Sequence, residues 1–388
     1  MEYKKIKEIN EYKSESINPM KTPDTMYELY SVPFFTTGHP EYLYGSEIGS
    51  SKVIVQKNDI LVCKINPRIN RVWVVSDESN YQSIASSEWI VVRNAQYNPY
   101  FLAWYFRTPM FQQLMTSEVT GIGGSLTRAQ PKRVAEYPVP VLSRERQDKI
   151  VSILNRLESI KRERKSELDL LDSLVKARFV EMFGDFRPNY TKWDIVSLDS
   201  VCTKISDGEH GSVPRVDKGH LYLNAKNIKI DGSIDWQNTT YISSEDHERI
   251  YKRCNPEMND ILLTTTGTIG NVAIVPAVEP FSLDRGITLL KLNDKKICSA
   301  FLMCLLKSKY LQQCMKKSVH ASAIGHLFLN QVKILPVLLP SLELQNQFSD
   351  FVRYIDKSKI AIDSCIIIIE KALQSRYHYV WGICHDQF

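Results

Sequence analysis

Two stretches of the chain carry apolar side chains at helical spacing over an unusual length. In the first they fall at Ile150, Ile153, Leu154, Leu157, Ile160, Leu168, Leu171, Leu174 and Val175, with no Pro or Gly between Ser143 and Val180. In the second the stripe is Phe348, Phe351, Val352, Ile355, Ile362, Ile366 and Ile369. A three/four spacing of this kind predicts an amphipathic helix. Roughly 35 residues at 1.5 Å per residue make each on the order of 50 Å long. A helix that long with a narrow apolar stripe needs a partner helix to cover it. Each stretch supplies the other's partner, so an intramolecular antiparallel pair is expected.

Ahead of each long helix the pattern changes. "HLYLNAKNIKIDGSIDW" and "DILLTTTGTIGNVAIV" alternate or run apolar between Gly and Asn breakers, which predicts short strands joined by turns. "NPYFLAWYFRTPMFQQLM" and "CSAFLMCLLKSKYLQQCM" then place apolar residues at helical spacing. The order is strand-rich globule, short helical stretch, long helix, and it occurs twice.

The recurrence is visible residue by residue. "NDIL" at 58–61 returns at 259–262, and Asn70 and Val74 match Asn271 and Val275 at the same offset of 201. Phe101, Leu102, Gln112, Gln113 and Met115 match Phe301, Leu302, Gln312, Gln313 and Met315 at an offset of 200. Pro138, Val139, Ser143, Glu145, Gln147, Lys161 and Gly184 match Pro336, Val337, Ser341, Glu343, Gln345, Lys359 and Gly382 at 198. The matches keep their order with small indels, so the chain is two copies of one module. Gly184 is positioned to close the first long helix, and Pro188 with the polar run that follows marks the start of the second globule.

Composition narrows the class. The 388 residues are 43% hydrophobic and 24% charged, which excludes long disorder and a coiled-coil-only chain. A net charge of +5 permits a polyanionic partner without requiring one. The eight cysteines are scattered with no C-x-x-C pair, which predicts reduced thiols packed in cores rather than a zinc site. The longest aliphatic run, Ile366 to Ile369, is far too short to span a bilayer, and a polar N-terminus lacks a signal segment. A cytoplasmic protein is expected.

Catalytic motifs are missing. No P-loop, G-x-G-x-x-G, G-x-S-x-G, H-E-x-x-H or EF-hand loop occurs. "NPY" at 98–100 lacks one Pro of the N-P-P-Y methyltransferase motif, and Pro at a helix start is its ordinary explanation. His210, His220, His247, His320 and His326 are spaced 10, 27, 73 and 6 apart, which fits no ligand pattern. A duplicated chain without a duplicated catalytic set reads as a binder.

The polar loops are where binding is expected. The second copy carries "KISDGEHGSVPR" at 204–215, Lys226 in "AKNI", and "TTTGTIGN" at 264–271; the first has "KINPRINR" at 64–71 and "GGSLTRAQPKR" at 123–133. Hydroxyl, amide and imidazole groups can read base edges while Lys and Arg hold phosphates. The candidate DNA contacts are Lys64, Arg68, Arg71, Arg128, Lys132, Arg133, Lys204, His210, Arg215, Lys226, Thr266, Thr268 and His326. The frame repeats while the loops differ, as two readers of different short sequences would.

This ordered set resembles the specificity subunit of Type I restriction-modification enzymes. The resemblance is carried by "DGEHGSVP" at 207–214, "AKNI" at 225–228, "NDILLTTTGTIGNVAIV" at 259–275, the helix starts "YPVPVLSRERQDKI" and "LPVLLPSLELQNQF", and the helix end "FVEMFGD". The first copy departs from the pattern: it has no clear D-G-x-H segment, and the strand expected at 3–9 matches "WDIVSL" only loosely. The resemblance implies an α+β fold of two similar target-recognition globules, each followed by a long helix, the helices pairing as an antiparallel coiled coil. The domains would be 1–142, 143–185, 186–340 and 341–388.

It also implies a non-catalytic subunit. Each globule would dock in the major groove of double-stranded DNA, and the helices would set the gap between two half-sites, on the order of 15 base pairs at roughly 3.4 Å each. Two modification subunits would methylate adenine N6 with S-adenosylmethionine, and restriction subunits would add ATP- and Mg-dependent cleavage, so no cofactor is expected on this chain. Partner contacts would fall on Gln147, Ile150, Leu154, Gln345, Phe348 and Val352. Arg144, Arg146, Lys149, Arg156, Lys161 and Arg162 could face DNA or the methyltransferases. Two other classes remain: a scaffold bridging two protein partners, and a divergent self-contained methyltransferase or nuclease.

Overall fold

The computed structural model describes residues 2–76, 79–117, 119–120, 127–185, 192–320 and 325–381. They fall into two compact units, divided between Arg164 and Lys165 and again between Ser364 and Cys365. Both cuts lie inside long helices, Arg144–Phe183 and Leu342–Trp381. Each unit is therefore one globule with half of each long helix. At 40 residues both helices outrun the lengths their apolar stripes predict, and Gly184, at φ +86° with its N–H on Val180 O, ends the first. Gly382 lies outside the described residues.

In the first unit a three-stranded antiparallel sheet, Val72–Val74, Ile60–Cys63 and Trp89–Val92, forms the buried centre. A second sheet of five strands pairs Met26–Tyr30 in parallel with Gln82–Ser86. Helices Pro99–Phe106 and Pro109–Ser117 pack on the first sheet through Phe101, Leu102, Phe106, Phe111 and Met115. The predicted single helical stretch breaks at Thr108, whose hydroxyl donates to Tyr105 O at 2.7 Å ahead of Pro109. Asn98 is the N-cap of the first of these helices, accepting from Tyr100 N at 2.9 Å, with Pro99 at its first position. That is the role "NPY" has here.

The second unit repeats the plan. Strands Val272–Ile274, Ile261–Thr264 and Ile287–Leu292 form the antiparallel centre, widened by Cys202–Asp207. His220–Leu223 pairs in parallel with Ser282–Leu283, and helices Ser299–Leu306 and Lys309–His320 cover the sheet. The N-terminal match is closer than the sequence suggests. Tyr3–Lys5 and Asp194–Ser197 are each a strand followed by one helical turn that buries Ile6 and Ile9, or Leu198 and Val201. They pair antiparallel with Pro138–Pro140 and Pro336–Leu339. The expected strand at 3–9 is thus half strand and half helix, because isoleucines three apart share one face of a helical turn.

Within each unit the two long helices run antiparallel. In the first, Leu154, Ile369 and Leu373 share the core and Lys161 pairs with Glu370 at 3.0 Å. In the second, Asp172 pairs with Lys359, and Phe179 and Phe183 pack on Phe348. On the second long helix six of the seven stripe residues, Phe348, Val352, Ile355, Ile362, Ile366 and Ile369, are buried, and Phe351 is half-buried. On the first, Ile153 and Leu174 face solvent instead, since Ile153 lies off the face of Ile150 and Leu154, and Leu174 off that of Phe179.

Candidate nucleic-acid interface

The repeated "NDIL" builds the frame, not the contact. Asn58 and Asn259 both sit at φ +71°, each donating its N–H to a valine carbonyl, Val75 or Val275, at 2.9 Å. The carboxylates of Asp59 and Asp260 are buried and accept from Gln56 N and Glu257 N, both at 2.9 Å. Arg93 neutralises the first at 2.6 Å, and Lys291 bonds the second at 2.9 Å. Burial raises the Asp260 carboxyl above the ordinary range, against the pull of Lys291. A buried carboxylate needs such a cation.

In the second unit the loop 265–271 leaves the sheet and meets four other segments. Thr265 N donates to Gly286 O at 2.9 Å and Leu327 N to Thr265 O at 3.0 Å. Thr268 Oγ1 donates to Ala225 O at 3.2 Å, and Asn271 Nδ2 to Ile228 O at 2.8 Å. Gly267 and Gly270 take φ +72° and +90°, and Gln312 Nε2 fixes the loop by donating to Gly270 O at 2.9 Å. Thr266 and His326 form an antiparallel bridge, and Thr266 Oγ1 lies 2.6 Å from His326 Nδ1. The Thr265 hydroxyl is buried with no hydrogen bond among the described residues.

The "DGEHG" segment joins this cluster through the backbone. Glu209 bridges Asp284, and Arg285 N donates to Glu209 O at 2.9 Å. Glu209 turns inward: the Gly211 N–H and the guanidinium groups of Arg249 and Arg253 hold its carboxyl below the usual range. His210 stays exposed, 3.7 Å from Asp207. His210, Lys226, Thr266, Thr268 and His326 thus lie on segments tied to one another, joined by exposed Arg285. Arg285 carries no sequence signal; only the turn at 284–286 brings it here.

Two expected contacts fall elsewhere. Lys204 lies opposite Lys291, at the end of the sheet where the strand Ile261–Thr264 begins; Thr266 lies past its other end. It is not part of the cluster, because three residues along an extended strand cover about 10 Å. Arg215 is held on the other sheet's Tyr222, 4.2 Å over the ring, and donates to Val213 O at 2.5 Å.

The first unit holds the same bridge with different chemistry. Ile65 pairs antiparallel with Arg128, Ala129 N donates to Lys64 O at 2.8 Å, and Asn66 N to Thr127 O at 2.8 Å. Gln112, the repeat partner of Gln312, donates its amide to Pro67 O. Arg128 is exposed and held by Glu88 at 3.0 Å. Glu88, absent from the sequence candidates, reaches Arg128 because Lys64 N bonds Glu88 O at 3.0 Å. Lys64 itself donates to Ser87 O at 2.6 Å, and Arg71 reaches Cys63 Sγ at 3.9 Å, so both are engaged within the fold. Arg68, between Asn66 and Asn70 at φ +49° and +47°, is exposed, as are Lys132 and Arg133. Residues 123–126 of the candidate segment lie outside the described residues.

The six expected partner contacts are corrected by burial. Gln147, Ile150, Leu154, Gln345, Phe348 and Val352 are all buried inside their own units. Exposed large apolar side chains on the long helices are instead Ile153, Leu170, Leu174, Val180, Tyr354, Ile360, Ile367 and Ile368. Arg146, Arg156 and Arg162 are exposed, while Arg144, Lys149 and Lys161 pair with Asp148, Glu145 and Glu370. Among the described residues no group of three His, Cys, Asp or Glu could hold a metal ion, and no helix is long and apolar enough to cross a membrane.

A duplicated α+β module with loop-borne polar groups on a shared frame defines a class of paired recognition domains. The family model described as "Type I restriction modification DNA specificity domain" matches residues 1–170 and again 190–371, and the chain belongs to that family. It is 27% identical over 210 residues to the Type I restriction enzyme EcoBI specificity subunit of Escherichia coli. That match spans 53% of this chain and 39% of the relative. Two solved structures share the fold. One, described as "Structural basis underlying complex assembly and conformational transition of the type I R-M system", matches with TM-score 0.60 and 17% identity over 96% of this chain and 95% of that one. The S subunit of a Type-I restriction-modification system from M. genitalium matches with TM-score 0.58 and 14% identity, over 96% and 94%.

Proposed function

We propose that the chain is the sequence-recognition subunit of a Type I restriction-modification complex, acting in the cytoplasm. Each unit reads one half of a bipartite target in double-stranded DNA from the major groove. The observation that carries this is the repeated bridge, Ile65 to Arg128 and Thr266 to His326, which places unlike polar heads on like frames. Base edges are told apart by donor and acceptor pattern, so a reader of two sequences must keep its scaffold and change its side chains.

The chain performs no chemistry in this reading. Two modification subunits supply S-adenosylmethionine and methylate adenine N6 on a base taken out of the stack. Restriction subunits supply ATP- and Mg-dependent cleavage. Exposed Ile367 and Ile368 on the second long helix offer apolar surface to such partners.

The test is to express the chain with its neighbouring modification subunit in a methylation-free host and sequence the methylome. A new split adenine-methylation motif with a fixed gap is expected. A soluble complex that methylates no such motif would overturn the reading.

A further inference from the structure

We infer that Arg128 is the base-reading residue of the first unit, that Glu88 positions it, and that the base it reads is guanine. The inference rests on the recognition role proposed above and assigns a specificity-determining pair within it.

The position comes first. Arg128 occupies the same place in its unit as His326 in the other: each sits in an isolated antiparallel bridge to the loop that follows a central strand. Each bridge is locked by backbone hydrogen bonds on both sides of it or next to it, Ala129 N to Lys64 O and Asn66 N to Thr127 O in one, Leu327 N to Thr265 O in the other. In each unit a side-chain amide from the covering helices, Gln112 or Gln312, ties down the same loop. A residue that must report on one base needs a rigid platform, and this is a tied loop position that the two units share.

Orientation comes second. Arg128 stays half exposed, yet one guanidinium nitrogen, Nη2, is fixed at 3.0 Å from Glu88 Oε1. In the second unit Thr266 Oγ1 does the same for His326 Nδ1. Both readers are steered by a neighbour, a carboxylate in one case and a hydroxyl in the other. Glu88 Oε2 is buried without a hydrogen bond among the described residues, so the carboxylate is placed for Arg128 and little else.

Chemistry comes third. A planar guanidinium presents parallel donors that match the O6 and N7 acceptors of guanine, a fixed fork that a lysine ammonium on its flexible stem lacks. Imidazole is a different head, so the two half-sites are read with different donor patterns from one frame.

The test uses the assembled complex and the methylome readout. R128A should abolish the guanine preference at one position of one half-site, a loss of discrimination of roughly 5- to 150-fold, and R128K should keep a weaker preference there, with the other half-site unchanged. E88A should relax the same position and E88Q, which keeps the acceptor oxygen, should restore most of it. H326A should relax the opposite half-site only, which also shows that bridge variants leave a folded complex. An unchanged motif in R128A, or uniformly weaker methylation with the motif intact, would overturn the assignment. If the wild-type complex methylates no split motif, the recognition reading itself fails and takes this assignment with it.

Discussion

Gln345 Oε1 accepts the backbone N–H of Cys298 at 2.9 Å. The same amide donates to Lys296 O at 3.0 Å and Pro340 O at 2.9 Å, and the residue has no exposed surface. Its repeat partner Gln147 accepts from Asn98 N at 2.8 Å and donates to Leu142 O at 2.8 Å. In both units one glutamine, a turn into the long helix, staples that helix to the start of the covering helix. Replacing Gln345 with Leu keeps the volume and strands three backbone groups. A loss on the order of 2–3 kcal/mol is expected, seen as a lower thermal midpoint for the full chain, with no loss in an exposed control such as Asn330→Ala.

Helix pairing in the second unit depends on aromatic burial more than charge. Phe179 contacts Phe183, Phe301 and Phe348 with ring centroids 5.1, 5.5 and 5.5 Å away. Phe179→Ala should cost about 3–5 kcal/mol. Lys359→Ala, which removes the pair with half-exposed Asp172, should cost no more than about 1 kcal/mol. Equal shifts in denaturant midpoint for the two variants would contradict this ranking.

Gly208 in the "DGEHG" segment is required by close approach. A Cβ built there would lie 2.2 Å from Asp284 O and 2.5 Å from Leu283 O, both backbone atoms. Gly208→Ala must push the segment off the 283–286 turn, at a cost of about 1–3 kcal/mol. Amide hydrogen exchange in 208–211 and 284–287 should accelerate, while the first unit exchanges as before.

His247 makes the second unit acid-sensitive. It is buried in the helix Ser244–Arg253, its ring stacked 4.0 Å from His220 with planes 3° apart, and its Nδ1 lies 2.9 Å from Ser282 Oγ. Burial first, then the neighbouring imidazole, lowers its pKa below 6.5; Glu248 opposes this weakly, and Tyr251 packs on its far side. The unfolded chain therefore takes up a proton that the folded chain refuses. Stability from this site is complete above pH 6.5 and is lost as pH falls below it toward the folded-state pKa. Thermal midpoints measured from pH 7.5 to 5 should fall, and His247→Gln should flatten that part of the profile.

Local pattern and repetition determined much of this protein by themselves. Apolar spacing marks the two long helices, and the ordered matches from Asn58–Asn259 to Gln147–Gln345 mark the duplication, because strand, turn and cap preferences act between near neighbours. The matched residues turned out to be frame: buried carboxylates, loop-fixing amides and helix staples. Tertiary structure alone decided which polar groups meet. Lys204 and Thr266 both lie in polar segments, yet strand register sends them to opposite ends of one sheet. Glu88 and Arg128 lie 40 residues apart, and only the bridge at Ile65 brings them to 3.0 Å. Gln147 and Phe348 look like available helix-face residues in the sequence, but the globule packed on each helix buries them. Periodicity shows that a face is apolar, whereas its occupant is set by packing between segments distant in the chain.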